Sequence, residues 1–349
     1  MTDMRADLPS SGNPGGPPPE AILMQMLFGA LMQQSLCVAV KLGIPDLLAR
    51  GPQTAEELAA QTQTHAPSLF RVLRTLASAG VFAQTTDRQF DLTPISAPLR
   101  KDAPNSLRDF ALMMGEDWIA QAWGALLYSV KTGEPAHQKV QGMSSFEFFE
   151  QNKEAGEIFN RAMTSFTLAA LPAIVEAYDF SGVDRLVDIA GGHGLLLAGI
   201  LKANPQLRGT LFDLPFVIED AGALLEQEGV RNRVELASGD FFQSVPAGAD
   251  AYLMKHIVHD WDDESCVKIL KNIRAAMRQD GKVLIIEMVV PEGEEPSPSK
   301  ALDVLMLVME GGKERTREEY RVLLAAAGFG LTRVIPTKSP YSVIEGKRV

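Results

Sequence analysis

A chain of 349 residues, 46% hydrophobic and 22% charged, has an ordinary globular composition and is long enough for two domains that each bury a core. A formal net charge of −11, with no basic cluster larger than pairs such as Arg71 and Arg74, argues against a nucleic-acid partner. The two cysteines, Cys37 and Cys266, lie far apart in apolar surroundings and read as buried free thiols of a reducing cytoplasm; no signal pattern opens the chain and no apolar run reaches a membrane span, so no membrane partner is expected.

Residues 1–20 are polar and rich in Gly and Pro, and are expected to be a disordered tail. Residues 21–105 predict a small helical domain. Apolar residues recur at helical spacing from Ala21 to Leu48, with Pro45 in the first turn of a short helix. Thr54 and Glu57 form a capping-box signature. A helix over Ser68–Ala79 stops at Gly80, and Val81–Leu92 alternates like a hairpin turning at Thr86, Asp87 and Arg88. Helices followed by a hairpin make a winged-helix arrangement, which either binds DNA or mediates dimerisation. The acidic balance favours dimerisation. Leu23, Met26, Leu27, Leu31, Val38 and Val40 supply more apolar surface than one small domain needs to hide, so a homodimer is expected.

Residues 106–178 predict a helical connector dense in Met and aromatic residues. Met113 and Trp118 either pack in a core or line an apolar acceptor pocket. Residues 179–349 have a different texture. Strands predicted at Arg185–Ala190, Arg208–Asp213, Val234–Ala237, Ala251–Lys255 and Lys282–Met288 alternate with helices at Gly194–Ala203, Phe216–Gln227, Glu264–Met277 and Arg317–Ala326. A closing antiparallel pair follows, Leu331–Ile335 and Tyr341–Ile344. This is the rhythm of a doubly wound, Rossmann-like α/β domain.

The sharpest motif is Leu186-Val187-Asp188-Ile189-Ala190-Gly191-Gly192-His193-Gly194, a strand end opening into a helix. Leu197 stands where the third glycine of a dinucleotide fingerprint would be. Asp188 at the turn would repel a pyrophosphate and would suit a ligand carrying an ammonium and a sulfonium, namely S-adenosylmethionine. The next strand ends in Asp213-Leu214, where an acid accepts ribose hydroxyls or, alternatively, caps a helix. Gly239-Asp240-Phe241 would be an ordinary turn on its own; beside the first two motifs it reads as the adenine end. The fourth strand runs into Lys255-His256-Ile257-Val258-His259-Asp260-Trp261-Asp262. Neutral imidazole can take a proton from a phenol. His256 follows the strand directly and is expected to pack; His259 lies past the turn. The spacing of His256, His259 and Asp260 is not that of a zinc hydrolase, so no metal is expected. Glu287 sits inside an apolar strand, and Glu314 lies in Gly311-Gly312-Lys313-Glu314-Arg315-Thr316. Either glutamate could orient an imidazole, or Glu314 could be a solvated residue at a helix start.

Taken in order, these motifs resemble the class I, metal-independent small-molecule O-methyltransferases, which include plant caffeic acid and flavonoid enzymes and bacterial relatives in secondary metabolism. The resemblance implies an N-terminal winged-helix dimerisation domain and a C-terminal catalytic domain. It implies that His259 is the base, flanked by Glu287 and Glu314. It implies a cofactor site of Asp188, Ala190, Gly191, Gly192, Asp213, Leu214, Gly239, Asp240, Phe241 and Lys255. Phe159 and Met163 would lie on a helix between acceptor and methyl donor, and Met306 and Met309 would touch the acceptor. Ala190 stands where plant members usually carry Gly, and Phe241 replaces a common Met. The implied reaction is displacement of the methyl group by a hydroxyl of a small aromatic or polyketide-like acceptor. N- or C-methylation on the same scaffold, or a ligand-sensing winged-helix regulator, are the alternatives.

Overall fold

The computed structural model describes residues 17–349, apart from the side chain of Asp220. Most of the expected N-terminal tail therefore lies outside the described residues, while Pro19 and Glu20 already belong to the first helix. The chain divides into two compact units between Ala97 and Pro98.

The first unit contains α1 (Pro19–Leu27), α2 (Gly29–Lys41), α3 (Ile44–Leu48), β1 (Gln53–Thr54), α4 (Ala55–Thr62), α5 (Ala66–Ser78), β2 (Phe82–Gln84) and β3 (Gln89–Leu92). The strands form an antiparallel sheet in the order β1-β3-β2. Thr54 accepts the Glu57 amide and Glu57 accepts the Thr54 amide at 2.7 Å, which closes the capping box that starts α4. Leu69, Leu73 and Leu76 recur every three or four residues and turn one face of α5 into the core. Helix α1 buries nothing, and Leu23, Met26, Leu27, Leu31 and Val38 are exposed. Val40 departs from the expected apolar surface: it is 1% exposed and belongs to the unit's own core, because it falls on the inner face of α2 with Cys37.

The second unit opens with α6 (Arg108–Met114), α7 (Asp117–Gly124), α8 (Leu126–Thr132), α9 (Ala136–Gln141), α10 (Ser145–Gln151) and α11 (Lys153–Ala177). Their apolar faces meet in one cluster that includes Met113, Trp118, Ile119, Ala122, Ala162, Val308 and Met309, with Phe159 and Met163 packed against it. By length and composition α11 could cross a membrane, a feature that a search for uninterrupted apolar runs overlooks. Here Ala170 and Ile174 pack it onto the sheet core.

The sheet follows: β4 (Arg185–Ile189), α12 (Leu195–Ala203), β5 (Arg208–Asp213), α13 (Pro215–Gln227), β6 (Val234–Ser238), β7 (Ala251–Lys255), α14 (Asp263–Ala276), β8 (Lys282–Glu287), α15 (Pro298–Met309), α16 (Arg317–Ala326), β9 (Phe329–Pro336) and β10 (Ser342–Arg348). The strand order is β6-β5-β4-β7-β8-β10-β9, and β10 runs antiparallel to both neighbours, so the sheet is mixed. Successive strand residues face opposite layers. Leu186, Leu253 and Leu284 enter one core, and Val187, Tyr252, Met254 and Val283 the other. Covering on both faces explains why these strands read as unbroken apolar runs. After β6 the chain returns past β4 to form β7, so the order reverses between β4 and β7. The crevice beyond their carboxyl ends is where ligands bind in such sheets.

Candidate active site

The turn after β4 is shaped around two carboxylates. Asp188 is buried beneath it, and a Cβ on Gly191 would collide with the Asp188 carboxylate and with Leu211, so only glycine fits there. The Gly192 amide donates to Asp213 Oδ2 at 2.8 Å, and the Leu214 amide to Asp213 Oδ1 at 2.7 Å. Ala190 ties β4 to β5 by donating to the Phe212 carbonyl at 2.7 Å. It does so at φ +52°, the left-handed region that favours glycine.

This conformation gives a direct test. Ala190→Gly should raise stability by about 0.5–1 kcal/mol, the roughly 1–2 kcal/mol relief of left-handed strain less the entropy that glycine adds to the unfolded chain. A lower urea midpoint for the variant would show that Ala190 is not strained.

Asp188 Oδ2 has no hydrogen-bond partner among the described residues. Burial, reinforced by Asp213, pushes the Asp188 carboxyl up to about 7, and Lys255 opposes the rise. Burial likewise pulls the Lys255 ammonium down to about 8, against Asp188 and Glu287. A buried acceptor short of a donor, under a turn that lets a ligand reach the backbone, fits the ammonium and sulfonium of S-adenosylmethionine. Past β6, the Gly239 amide donates to the Asp213 carbonyl at 3.0 Å, which brings the third motif to the second. Asp240 is exposed and its Oδ1 accepts the Phe242 amide at 2.8 Å. Phe241 is half-buried and packs edge-on to Phe242 and Trp261. Leu214 is exposed at the same rim.

After β7 the chain turns sharply. His256 adopts φ +57°, which breaks the strand alternation expected to fix it; its ring stacks on His259, with centroids 4.8 Å apart. A single 3-10 turn, Val258–Asp260, then delivers His259, which is 4% exposed. His259 Nδ1 lies 2.5 Å from Glu314 Oε1. Glu287 does something different. Its Oε1 accepts the Ile257 amide at 3.2 Å and the His259 amide at 3.1 Å, and its Oε2 accepts the Tyr320 hydroxyl. The two glutamates therefore divide the work: Glu314 meets the ring and Glu287 grips the backbone that carries it. Burial lowers the His259 imidazole below its ordinary value and pushes the Glu314 carboxyl up to about 8.

Several contributors escaped the sequence reading. Arg315 is fully buried and donates to the carbonyls of Val258 (2.8 Å) and Trp261 (2.9 Å) and to Asp263 Oδ1 (2.8 Å). Asp303 accepts the Glu314 amide at 2.9 Å. Tyr341 lies against His256. A Cβ on Gly312 would collide with the His259 carbonyl and the Asp260 backbone, which explains the second of the paired glycines. Arg315 was visible beside Glu314, but the carbonyls it serves are more than fifty positions away. Met306 and Met309 are both buried; Met309 joins the apolar cluster of the connector helices and Met306 does not. Among the described residues, no group of three His, Cys, Asp or Glu side chains is arranged to hold a metal ion.

A glycine turn over a buried carboxylate, an acid at the end of the second strand and a histidine at the switch-point crevice define a methyltransferase that uses S-adenosylmethionine. The comparisons narrow the class. Residues 123–330 match the O-methyltransferase domain and residues 24–102 the O-methyltransferase dimerisation domain. The chain is 47% identical to the phenazine O-methyltransferase of Lysobacter antibioticus, covering 96% of this chain and 98% of that protein. It is 40% identical to the mitomycin biosynthesis 6-O-methyltransferase of Streptomyces lavendulae, covering 94% and 95%. It superposes on an O-methyltransferase from neocarzinostatin biosynthesis, solved with S-adenosylmethionine and 2-hydroxy-5-methyl naphthoic acid, with a TM-score of 0.79 at 31% identity, covering 91% and 96%. The chain belongs to this family of S-adenosylmethionine-dependent O-methyltransferases, and its N-terminal unit is the family's dimerisation domain.

Proposed function

We propose that this enzyme methylates a hydroxyl on a planar aromatic secondary metabolite in the cytoplasm, as a homodimer, with His259 as general base. The 2.5 Å contact between His259 Nδ1 and Glu314, in the crevice beside the glycine turn, carries this reading. S-adenosylmethionine supplies an activated methyl group. Glu314 holds the imidazole so that Nε2 can take the acceptor's proton, and it stabilises the imidazolium that results. Glu287 and Arg315 fix the turn bearing His259. Asp188, Ala190, Gly191, Gly192 and Lys255 hold the amino-acid end of the cofactor, Asp213 and Leu214 its ribose, and Gly239, Asp240 and Phe241 its adenine. Met113, Trp118, Phe159, Met163, Met306 and Met309 form the apolar wall for the acceptor. Relatives that act on phenazine and mitomycin, and a neighbour holding a naphthoic acid, support a flat, fused-ring acceptor. Incubation with aromatic and polyketide acceptors and a labelled methyl donor, followed by mass spectrometry, tests the reaction. A product labelled on carbon or nitrogen overturns the assignment to oxygen.

Asp213→Ala should weaken S-adenosylmethionine binding by about 1.5–3 kcal/mol, the scale of a lost hydrogen bond to a charged group. Calorimetry reads this directly, and unchanged affinity would remove Asp213 from the cofactor site. The exposed apolar residues of α1 and α2 require a partner surface, and a second copy supplies it. Light scattering should give twice the chain mass of 37.9 kDa; a mass equal to that of one chain would refute the dimer.

A further inference from the structure

Beside His259 lies a set of acids that proton transfer does not use. Asp260 Oδ1 is 3.3 Å from His259 Nε2, and 13% of the Asp260 side chain stays exposed. Glu310 caps the C-terminus of α15 and accepts the Ser145 hydroxyl through Oε2. The neighbouring Phe146 stacks on Trp261, so the start of α10 spans both acids. Among the described residues, Asp260, Glu287, Glu310 and Glu314 form no ion pair with a lysine or arginine, because Arg315 and Lys313 are committed to Asp263. Glu314 supplies a second, independent sign of a missing donor. Its side chain is fully buried, and its Oε2 has no hydrogen-bond partner among the described residues. The end of α15 adds the negative pole of a helix to the same place.

We infer that Asp260 and Glu310 form a carboxylate pair that reads a basic or N–H-bearing nitrogen of the acceptor, next to the hydroxyl that His259 deprotonates. This rests on the reading of His259 as the base. A nitrogen donor between the two carboxyls supplies what the chain withholds. Burial, reinforced by the Glu310, Glu287 and Glu314 carboxyls, pushes Asp260 well above the usual carboxylate range, and burial against the Ser145 hydrogen bond pushes Glu310 up to about 7, a cost that a positively polarised group relieves. A methyl or methine in that place would leave Asp260 with only the His259 ring and Glu310 with only the Ser145 hydroxyl to answer its charge, and sites built on buried polar groups reject such analogues strongly.

The test compares 3-amino-2-naphthol with its isostere 3-methyl-2-naphthol. Binding to the protein loaded with S-adenosylhomocysteine is measured by calorimetry, and methyl transfer by kcat/KM. The native protein should favour the amine by about ten- to hundredfold in both measurements. Glu310→Gln and Asp260→Asn should each cut that ratio about tenfold or more through KM, and Ser145→Ala should move it the same way by less. Equal affinity for the two naphthols overturns the inference. So does an equal loss for both in Glu310→Gln, which would mark a structural role, and so does the absence of binding by either. Selective binding without methyl transfer upholds the pair and strikes the reading of His259. Transfer without selectivity does the reverse.

Discussion

His259→Gln should lower turnover by about two to four orders of magnitude, the usual worth of a general base, while the affinity for S-adenosylmethionine should stay near native. Glutamine keeps a polar side chain in the space but cannot take a proton at Nε2. The measurement needs an acceptor whose hydroxyl stays protonated near neutrality, because an acidic phenol ionises without help. The pH profile follows from the same pair. Before Nε2 can act as a base, His259 and Glu314 together must shed a proton. Burial and Asp303 push the Glu314 carboxyl up to about 8, so the competent form grows as pH rises, and kcat/KM should climb through this region. The midpoint belongs to the coupled pair rather than to either residue. A flat profile between pH 6 and 9 with such an acceptor, or near-native turnover in His259→Gln, would leave positioning of the reactants as the mechanism.

Arg315→Ala is the second large effect. The guanidinium is fully buried and holds the carbonyls of Val258, Trp261 and Lys313 together with the Asp263 carboxylate. Its removal leaves the Val258 and Trp261 carbonyls with only the weak Cys266 thiol donor and Asp263 with only Lys313, and breaking a buried charged network costs about 3–5 kcal/mol. At about 2–4 °C per kcal/mol for a unit of this size, the melting temperature of the catalytic unit should fall by about 6–20 °C. Turnover should fall as well, because the turn bearing His259 loses its clamp. Arg315→Lys should recover little, since an ammonium cannot reproduce the fork that reaches several acceptors at once. A melting temperature within about 2 °C of native for Arg315→Ala would show the clamp to be dispensable.

Local chemistry made much of the fold legible in the chain itself. The boundaries of β5, β7 and α16 follow the expected residues, and Thr54 caps the helix it precedes. These features depend on neighbours a few positions apart. The glycine turn was also legible, because Asp188, Gly191 and Asp213 sit at ends of strands whose apolar runs mark them plainly. His256 packs as expected, but the reason was not legible: a left-handed residue ends the strand, and the ring rests on His259, Tyr341 and Phe166 rather than being set by strand alternation. The antiparallel course of β10 gave a mixed sheet with that strand inserted between β8 and β9, a pairing partner no local pattern specifies.

What the chain determined by itself is the set of elements, their caps and the order of the motifs, because periodicity and capping act over one or two turns. What only the tertiary structure decided is who meets whom. His259 meets Glu314 across 55 positions, its backbone meets Glu287 across 28, and Ser145 meets Glu310 across 165. Before folding, Glu287 and Glu314 are equivalent acids after apolar or glycine-rich stretches. The register of β8 beside β7 brings Glu287 under the backbone of the turn, and the close approach allowed by Gly312 brings Glu314 to the ring. Burial then gives each carboxyl its own environment, and with it the separate parts they play around one histidine.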